Sequence, residues 1–471
     1  CTPWQKGRTS WLVDRRMKSV ESKMSKKLLV GPATVFTNTP GNSVVPNAGV
    51  LCANDRIERV APFSELAASN NDATRLSTDG KVIVPGLINA HHHLYSTFSR
   101  GMPIAATTPL RNFPEILEGI WWRLDRALDL EAVEAGAYPP VMDCLRWGTT
   151  TIIDHHASPN AIRGSLQALA RVCDEAGIRA NLCYEVTDRN GDQGAVDGVQ
   201  ENAQFVRDCQ SHRAHGALLG LHASFTVSEQ TLALAARQVD PATPIHIHVA
   251  EDGADVTRTR EQFGKGIIER LEAHGLLRKN SILVHGIHLT DAELDRIAAA
   301  QAWLVHNPES NANNAVGHLD VQRAMARGVR VALGTDGMAS NMLRAAKSAY
   351  LMIRHARKDP TVGFALPRKL LFENNVLLAR EIFAEPRLGS IQAGAPADLC
   401  VIDYDPPTVL DASTFDGHWV FGMTESPVWA TITSGKVRMH RGEFLDLDRE
   451  KISQRVLAAA DGVWERLRQM P

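Results

Sequence analysis

Three histidines in a row close an apolar run, Pro85-Gly86-Leu87-Ile88-Asn89-Ala90-His91-His92-His93. On an extended strand alternate side chains share a face, so His91 and His93 point together while His92 points away. Two imidazoles on one face suit a borderline divalent ion such as zinc; a polar surface cluster is the bland alternative. A second cluster, HIHVAE, places His246 and His248 on one face, so either can be a ligand. His248 lies nearer the strand's end, and Glu251 beyond it can turn back over the ion as a general acid/base. A hydrogen-bonded core histidine is the expected role of His246. Asp336, in GTDGMASN, adds a carboxylate and leaves room for a water; a helix N-cap is its alternative. The chemistry these residue types support is metal-assisted hydrolysis.

Other histidines are open to more than one role. His285, in VHGIHL, either joins the ligands or orients and deprotonates the attacking water. His288 reads as a helix-start residue. In HNPESN (306–311), His306 and Asn311 either contact substrate or fix the loop. An absence is also informative: binuclear barrels commonly bridge their metals through a carboxylated lysine on the fourth strand. Here that strand reads GLHASFT, with His222 and no lysine. One metal is the consistent reading.

These residues need elements to hold them. Apolar strand candidates at 82–90, 149–154, 179–186, 217–224, 244–251, 281–286, 301–308 and 330–337 alternate with helical text such as SLQALARVCDEAG. That alternation indicates a parallel sheet covered by helices, and its length matches a (β/α)8 TIM barrel. Most strands end in a residue able to do chemistry: His91 and His93, Asp154, Glu185, His222, His248 and Glu251, His285, His306 and Asp336. In such a barrel these ends surround one mouth. A doubly wound sheet is the alternative, but no GxGxxG follows the first strand.

Short β-like text also occupies both flanks, at 27–79 and again in ADLCVIDYD (397–405) and ATITSGKVRMHRGEF (430–444). The chain ends should therefore meet in a small composite β-sandwich. The expected α/β architecture assigns 24–82 and 389–446 to that sandwich, 83–388 to the barrel and 447–471 to a C-terminal helix. Residues 1–23 are basic, lack an apolar stretch and read as a non-native or disordered extension, with Met24 the natural start.

Composition narrows the partners. The chain has 471 residues, 44% hydrophobic, with 51 basic and 53 acidic side chains and a net charge of -2. No basic stripe points to nucleic acid and no apolar run approaches a membrane span. Seven scattered cysteines without a CxxC pair suggest neither disulfides nor a thiolate zinc site, which fits a cytoplasmic protein. A small, near-neutral ligand is the expected partner.

In this order, PGLINAHHH, HVAE, VHGIHL, HNPESN and GTDGMASN resemble the amidohydrolase superfamily, on its branch of cytosine, guanine and 8-oxoguanine deaminases and triazine hydrolases. GSIQAGAPADLCVID (389–403) resembles that branch's return into its sandwich. DHHASPNAIRGSL (154–166) and VHNPESNANNAVG (305–317) are most similar to the SsnA-like aminohydrolases.

The resemblance implies metal ligation by His91, His93, His248 and Asp336, with one divalent ion, zinc first and iron or manganese next. It implies catalytic roles for Glu251, His285 and Asp336, and it leaves His246 without one. The implied reaction is hydrolytic deamination of a purine-, pterin- or pyrimidine-type heterocycle. Hydrolysis of a cyclic amide or a substituted triazine on the same site is the alternative, and the retained Glu251 speaks for deamination. A homodimer is implied as well.

Substrate contacts are read from position. The segment Leu94–Arg126 resembles a lid, with Tyr95 and Arg100 as contacts, while Trp121 and Trp122 are expected to pack a helix on the barrel. His155, Tyr184, His222 and Asn311 complete the candidate substrate-binding set.

Overall fold

A single glycine divides the first apolar run into two strands with different duties. In the computed structural model, which describes residues 27–41, 44–103, 109–209 and 214–470, Val82–Pro85 (β5) belongs to the terminal sheet and Leu87–His92 (β6) to the barrel. At Gly86, between them, a Cβ would meet the Thr150 side chain at 2.2 Å, so only glycine permits this close approach. The expectation for residues 1–23 lies outside the described residues.

The terminal sheet joins both ends of the chain. Its first strands are Lys27–Phe36 (β1), Val44–Ala53 (β2), Arg56–Pro62 (β3) and Thr74–Leu76 (β4). From the far end come Leu399–Ile402 (β15), Val428–Thr433 (β16), Lys436–His440 (β17) and Glu443–Phe444 (β18). β5 pairs in parallel with β1 and antiparallel with β15, and so joins the two ends. The strand alternation sorts their side chains. Ile83, Leu399 and Val401 pack with Leu28, Val30, Ala430 and Ile432 in the sheet's own core. Val82, Val84, Cys400 and Ile402 turn the other way, into the cluster that also holds the barrel's outer strand faces and helices. Each such side chain withdrawn from water contributes roughly 1.5–3 kcal/mol, so the sheet is fixed to the barrel by burial.

The barrel strands follow in chain order: β6, Thr149–His156 (β7), Arg179–Tyr184 (β8), His215–Ala217 (β9) with Leu219–Ala223 (β10), Ile245–Val249 (β11), Ile282–His285 (β12), Trp303–His306 (β13) and Arg330–Leu333 (β14). All neighbours pair in parallel. Two bridges close the ring, Val186 with Leu221 and His92 with Asp336. Every expected barrel strand is present. Ile153, Cys183, Val284, Val305 and Ala332 fill the interior and form an apolar floor under the mouth.

Helices cover the outside, and the sequence shows why. Ser165–Ala176 buries Leu166, Leu169, Val172 and Cys173 along one stripe and stops at Gly177, whose φ is +72°. Asp291–Ala299 starts from a capping box of Thr290 and Glu293. The last helix, Arg449–Gln469, lies against the segment after β6, where Trp464 Nε1 donates to the Phe98 carbonyl at 3.0 Å. Among the described residues, no helix is long and apolar enough to cross a membrane.

Candidate active site

The C-terminal strand ends bring the expected ligands together. His91 and His93 both face inward from β6, while His92 turns aside to Ser340 Oγ at 2.9 Å. His93 Nε2 is 3.3 Å from His248 Nε2 and 3.0 Å from Asp336 Oδ1, and His91 Nε2 is 3.6 Å from the same oxygen. Hydrogen bonds behind the rings set their tautomers. His93 Nδ1 donates to the His155 carbonyl at 2.5 Å, and His248 Nδ1 donates to the His222 carbonyl at 2.9 Å. A carbonyl only accepts, so in both neutral rings Nε2 keeps its lone pair for a metal. His91 Nδ1 is 2.9 Å from His246 Nε2, and His246 Nδ1 is 3.6 Å from Cys183 Sγ. His246 is thus a buried partner behind a ligand, as expected of it.

Asp336 does not cap a helix. The next helix, Met342–Arg357, is capped by Asn341. Instead Asp336 sits in the left-handed region at φ +57°, and its backbone N–H reaches the His91 carbonyl at 3.1 Å. Ser310 Oγ donates to its Oδ2 at 2.7 Å. His285, with φ +73°, is also held in this region, which costs about 1–3 kcal/mol for a residue with a Cβ. Strain at two functional side chains is affordable because the surrounding barrel is so thoroughly packed.

The donor set fits a divalent ion. His91 Nε2 and His285 Nε2 are buried with no hydrogen-bond partner among the described residues. The possible ligand atoms of His91, His93, His155 and His248 lie within 4.8 Å of one another, as do those of His91, His285 and Asp336. The local field agrees. Burial opposes charge on His93, yet Asp336, Glu185 and Asp154 draw its pKa up to about 9, so this point favours a cation. Burial, reinforced by His93 and His155 and opposed by Asp336, pulls His91 down to about 3, and burial helped by His155 drives His248 well below the usual imidazole value.

Beside the ligands stands an acid/base group of opposite character. Glu251 Oε2 is 3.3 Å from His285 Nε2, and Glu251 Oε1 accepts from Asn314 Nδ2 at 3.2 Å. Burial and the Asp336 charge push the Glu251 pKa well above the usual carboxylate range. Burial also works against an ionised Asp336, but the His91 and His93 imidazoles hold it well below that range. The two carboxyls are therefore biased in opposite directions, Glu251 toward its protonated form and Asp336 toward its ionised one. His285 Nδ1 donates to Asn311 Oδ1 at 2.8 Å, leaving the Nε2 lone pair facing Glu251 Oε2 at 3.3 Å, with Asp336 Oδ2 3.7 Å away.

These groups open into a cleft whose empty space, open solvent included, is about 790 Å³. Tyr95, Phe113, Leu117, Trp121, Trp122, Phe225 and Met338 form its apolar walls, a lining suited to a flat heterocycle. Both tryptophans pack against apolar clusters, as expected, and also line the cleft, one at each end of the junction between the π-helical turn Leu117–Trp121 and Trp122–Ala127. His222 lines it as well.

Other candidate contacts lie elsewhere. Arg100 is outside the lining and donates to Asp143 at 2.8 Å. Tyr184 points outward, against Gly198 of the helix Gly191–Cys209, because alternation on β8 turns its neighbour Glu185 inward instead. His155 is fully buried beside the ligands, and Asn311 touches His285 rather than the cleft.

Sequence reasoning passed over several cleft residues. Arg189 Nη2 donates to Asp125 Oδ2 at 2.9 Å while its guanidinium lies 4.6 Å from the Trp122 ring. Nothing in local spacing signals that pair. Asp255 accepts from the Ala250 N–H at 2.7 Å and so holds the turn, with Ala250 at φ +48°, that aims Glu251. Ser310 and Asn314 lie in or just past HNPESN, where loop-fixing was one expected role.

An eight-stranded parallel barrel with imidazole and carboxylate donors at its C-terminal mouth is the architecture of a metal-dependent hydrolase. The chain belongs to the amidohydrolase family, whose model matches residues 82–438. It is 31% identical to a 5-methylthioadenosine/S-adenosylhomocysteine deaminase of Moorella thermoacetica, over 91% of this chain and 98% of that one. It is 30% identical to a 5'-deoxyadenosine deaminase of Methanopyrus kandleri, over 89% of this chain and 95% of that protein. Its fold is similar to a zinc-containing adenosine deaminase from Xanthomonas campestris, with a TM-score of 0.78 at 24% identity, covering 94% and 99% of the two chains.

Proposed function

We propose that the protein is a hydrolytic deaminase that replaces the exocyclic amine of a purine-type heterocycle by oxygen and releases ammonia. The observation that carries this reading is the placement of Glu251 Oε2 and Asp336 Oδ2 on either side of His285 Nε2, at 3.3 and 3.7 Å, with burial favouring the protonated form of Glu251 and the imidazoles favouring the ionised form of Asp336. Hydrolysis of an amidine carbon needs one group to take the water's proton and another to protonate the ring nitrogen beside that carbon.

His91, His93, His248 and Asp336 would hold the metal, and zinc, iron and manganese all accept such donors. A divalent ion there supplies a Lewis acid that makes water a nucleophile at neutral pH. His285 Nε2 and Asp336 Oδ2 face the site 3.7 Å apart and take the proton that the attacking water loses. Glu251 Oε2 gives its proton to the adjacent ring nitrogen, so the carbon accepts the new C–O bond without building charge on the ring. The C–N bond to the amine then breaks, and the proton held at His285 or Asp336 leaves with it as ammonia. The hydroxyl proton on the carbon passes to Glu251, which leaves a carbonyl and restores the acid. Tyr95, Trp121 and Trp122 shield the ring from bulk water.

Ammonia release from the purified, metal-assayed enzyme tests the reading. The first compounds are 5'-modified adenosines, because two relatives bear names of deaminases acting on such nucleosides. Guanine-type bases, pterins and aminopyrimidines follow. Ring opening or halide release from a triazine without any ammonia would replace deamination by the alternative hydrolysis.

A further inference from the structure

We propose that His155 is an additional imidazole donor to the metal, so that four histidines rather than three bind the ion. The inference rests on the metal site of the proposed function and adds a residue that this function does not require.

His155 is the penultimate residue of β7 and shares the strand face of Ile153. It is fully buried, and neither ring nitrogen has a hydrogen-bond partner among the described residues. A neutral imidazole carries one donor and one acceptor, and leaving both unmet inside a protein is costly. The surroundings offer one group for each. Glu185 Oε1 lies 3.2 Å from His155 Nδ1, which makes Nδ1 the protonated nitrogen and gives Nε2 the lone pair. One ring nitrogen of His155 lies within 4.8 Å of a ring nitrogen of each of His91, His93 and His248. Its ring is stacked on His246, with centroids 4.5 Å apart, and edge-on to His248 at 4.8 Å. These contacts hold the plane of the ring so that it cannot swing toward solvent.

Glu185 has a matching problem. Its carboxylate is 2% exposed and faces three imidazoles: His155, His93 at 3.6 Å and His222 at 3.9 Å. A buried carboxylate needs a positive partner. A cation bound through His155 supplies it along that ring, which is the carboxylate–histidine–metal arrangement of built metal sites, while the His93 Nδ1–H stays on the His155 carbonyl. Glu185 is then a positioning residue for His155.

X-ray absorption at the zinc edge of the zinc-loaded full-length enzyme counts bound imidazoles directly. Four per ion are expected in the native protein. His155→Ala should show three and should lose zinc to a competing chelator at least about tenfold more readily. Three imidazoles in the native enzyme, or an unchanged count and retention in the variant, would overturn the assignment. If the variant does not fold, the native count decides alone. An enzyme that binds one ion through three imidazoles and still releases ammonia loses the His155 donor but keeps the deaminase reading; an enzyme that binds no ion loses both.

Discussion

Glu251 Oε2 and His285 Nε2 face each other at 3.3 Å across the cleft floor, each fixed from behind by an asparagine: Asn314 on the carboxyl, Asn311 on the imidazole. Two titratable groups, one just past β11 and one at the end of β12, are thereby aimed at one reacting centre by a single following helix, Pro308–Asn313, and its exit. The arrangement separates proton donation from metal binding, and the two can be removed independently.

Glu251→Gln keeps the shape of the side chain and its bond to Asn314 but cannot give up a proton. Turnover should fall by about 10²–10⁴-fold. Zinc content, read by elemental analysis, should stay at the native level. A variant that releases ammonia at the native rate would remove Glu251 from the mechanism. Asn311→Ala should also lower kcat without releasing metal, because it frees the His285 ring to rotate.

Removing the ion tests the other half. Chelation, or His248→Ala, should abolish ammonia release, and added zinc should restore the chelated enzyme but not the variant. The ion binds only the folded chain, so zinc at a hundredfold over its Kd should raise stability by about 2.7 kcal/mol. A melting temperature indifferent to zinc would contradict a metal held by these donors.

Much of this site was legible before the fold, for a physical reason. His91 and His93 lie at the end of β6, where a period of two assigns a face to each strand residue, so local spacing carried that pair. Spacing left His246 and His248 both open, and Asp336 lies beyond β14 at φ +57°, so the family resemblance was needed for His248 and Asp336. Tyr184 failed by the same rule, since its neighbour Glu185 took the inward place. The cleft walls were less legible. Trp121 and Trp122 belong to a helical stretch whose register is altered by a π-helical turn, so their roles depend on packing with distant elements. Asp125 and Arg189 are 64 residues apart and meet only because the barrel brings two mouth loops together. The split at Gly86 was hidden because the apolar pattern runs unbroken through it. A steric clash with Thr150 leaves no mark on periodicity.

Asp255 gives a pH test away from the metal. Burial raises its pKa to about 6, although the Ala250 N–H and Thr259 partly offset this. The folded value lies above the unfolded one, so its contribution to stability is complete below about pH 4 and disappears as pH rises through 6. Asp255→Asn can still accept from Ala250 but does not titrate. Relative to this variant, the native protein should lose about 3 kcal/mol between pH 4 and pH 8, at roughly 1.4 kcal/mol per unit. Denaturant unfolding of both at the two pH values measures it, and a difference independent of pH would refute the assignment.

Arg189 makes the last case. Its side chain is 10% exposed and its partner Asp125 2%, so the pair is buried, not a screened surface contact. Burial lifts the Asp125 pKa to about 6 even with the guanidinium beside it. Arg189→Ala removes the counter-charge and leaves a carboxyl facing the cleft wall. Loss of one partner of a buried pair costs about 3–5 kcal/mol. Trp122 also loses the cation over its ring, and the wall it forms loosens. KM should therefore rise more than kcat falls, because Arg189 touches neither Glu251 nor the metal ligands. Equal losses in kcat and kcat/KM would instead place Arg189 in the transition state, and unchanged stability would mean that the pair is not buried in solution.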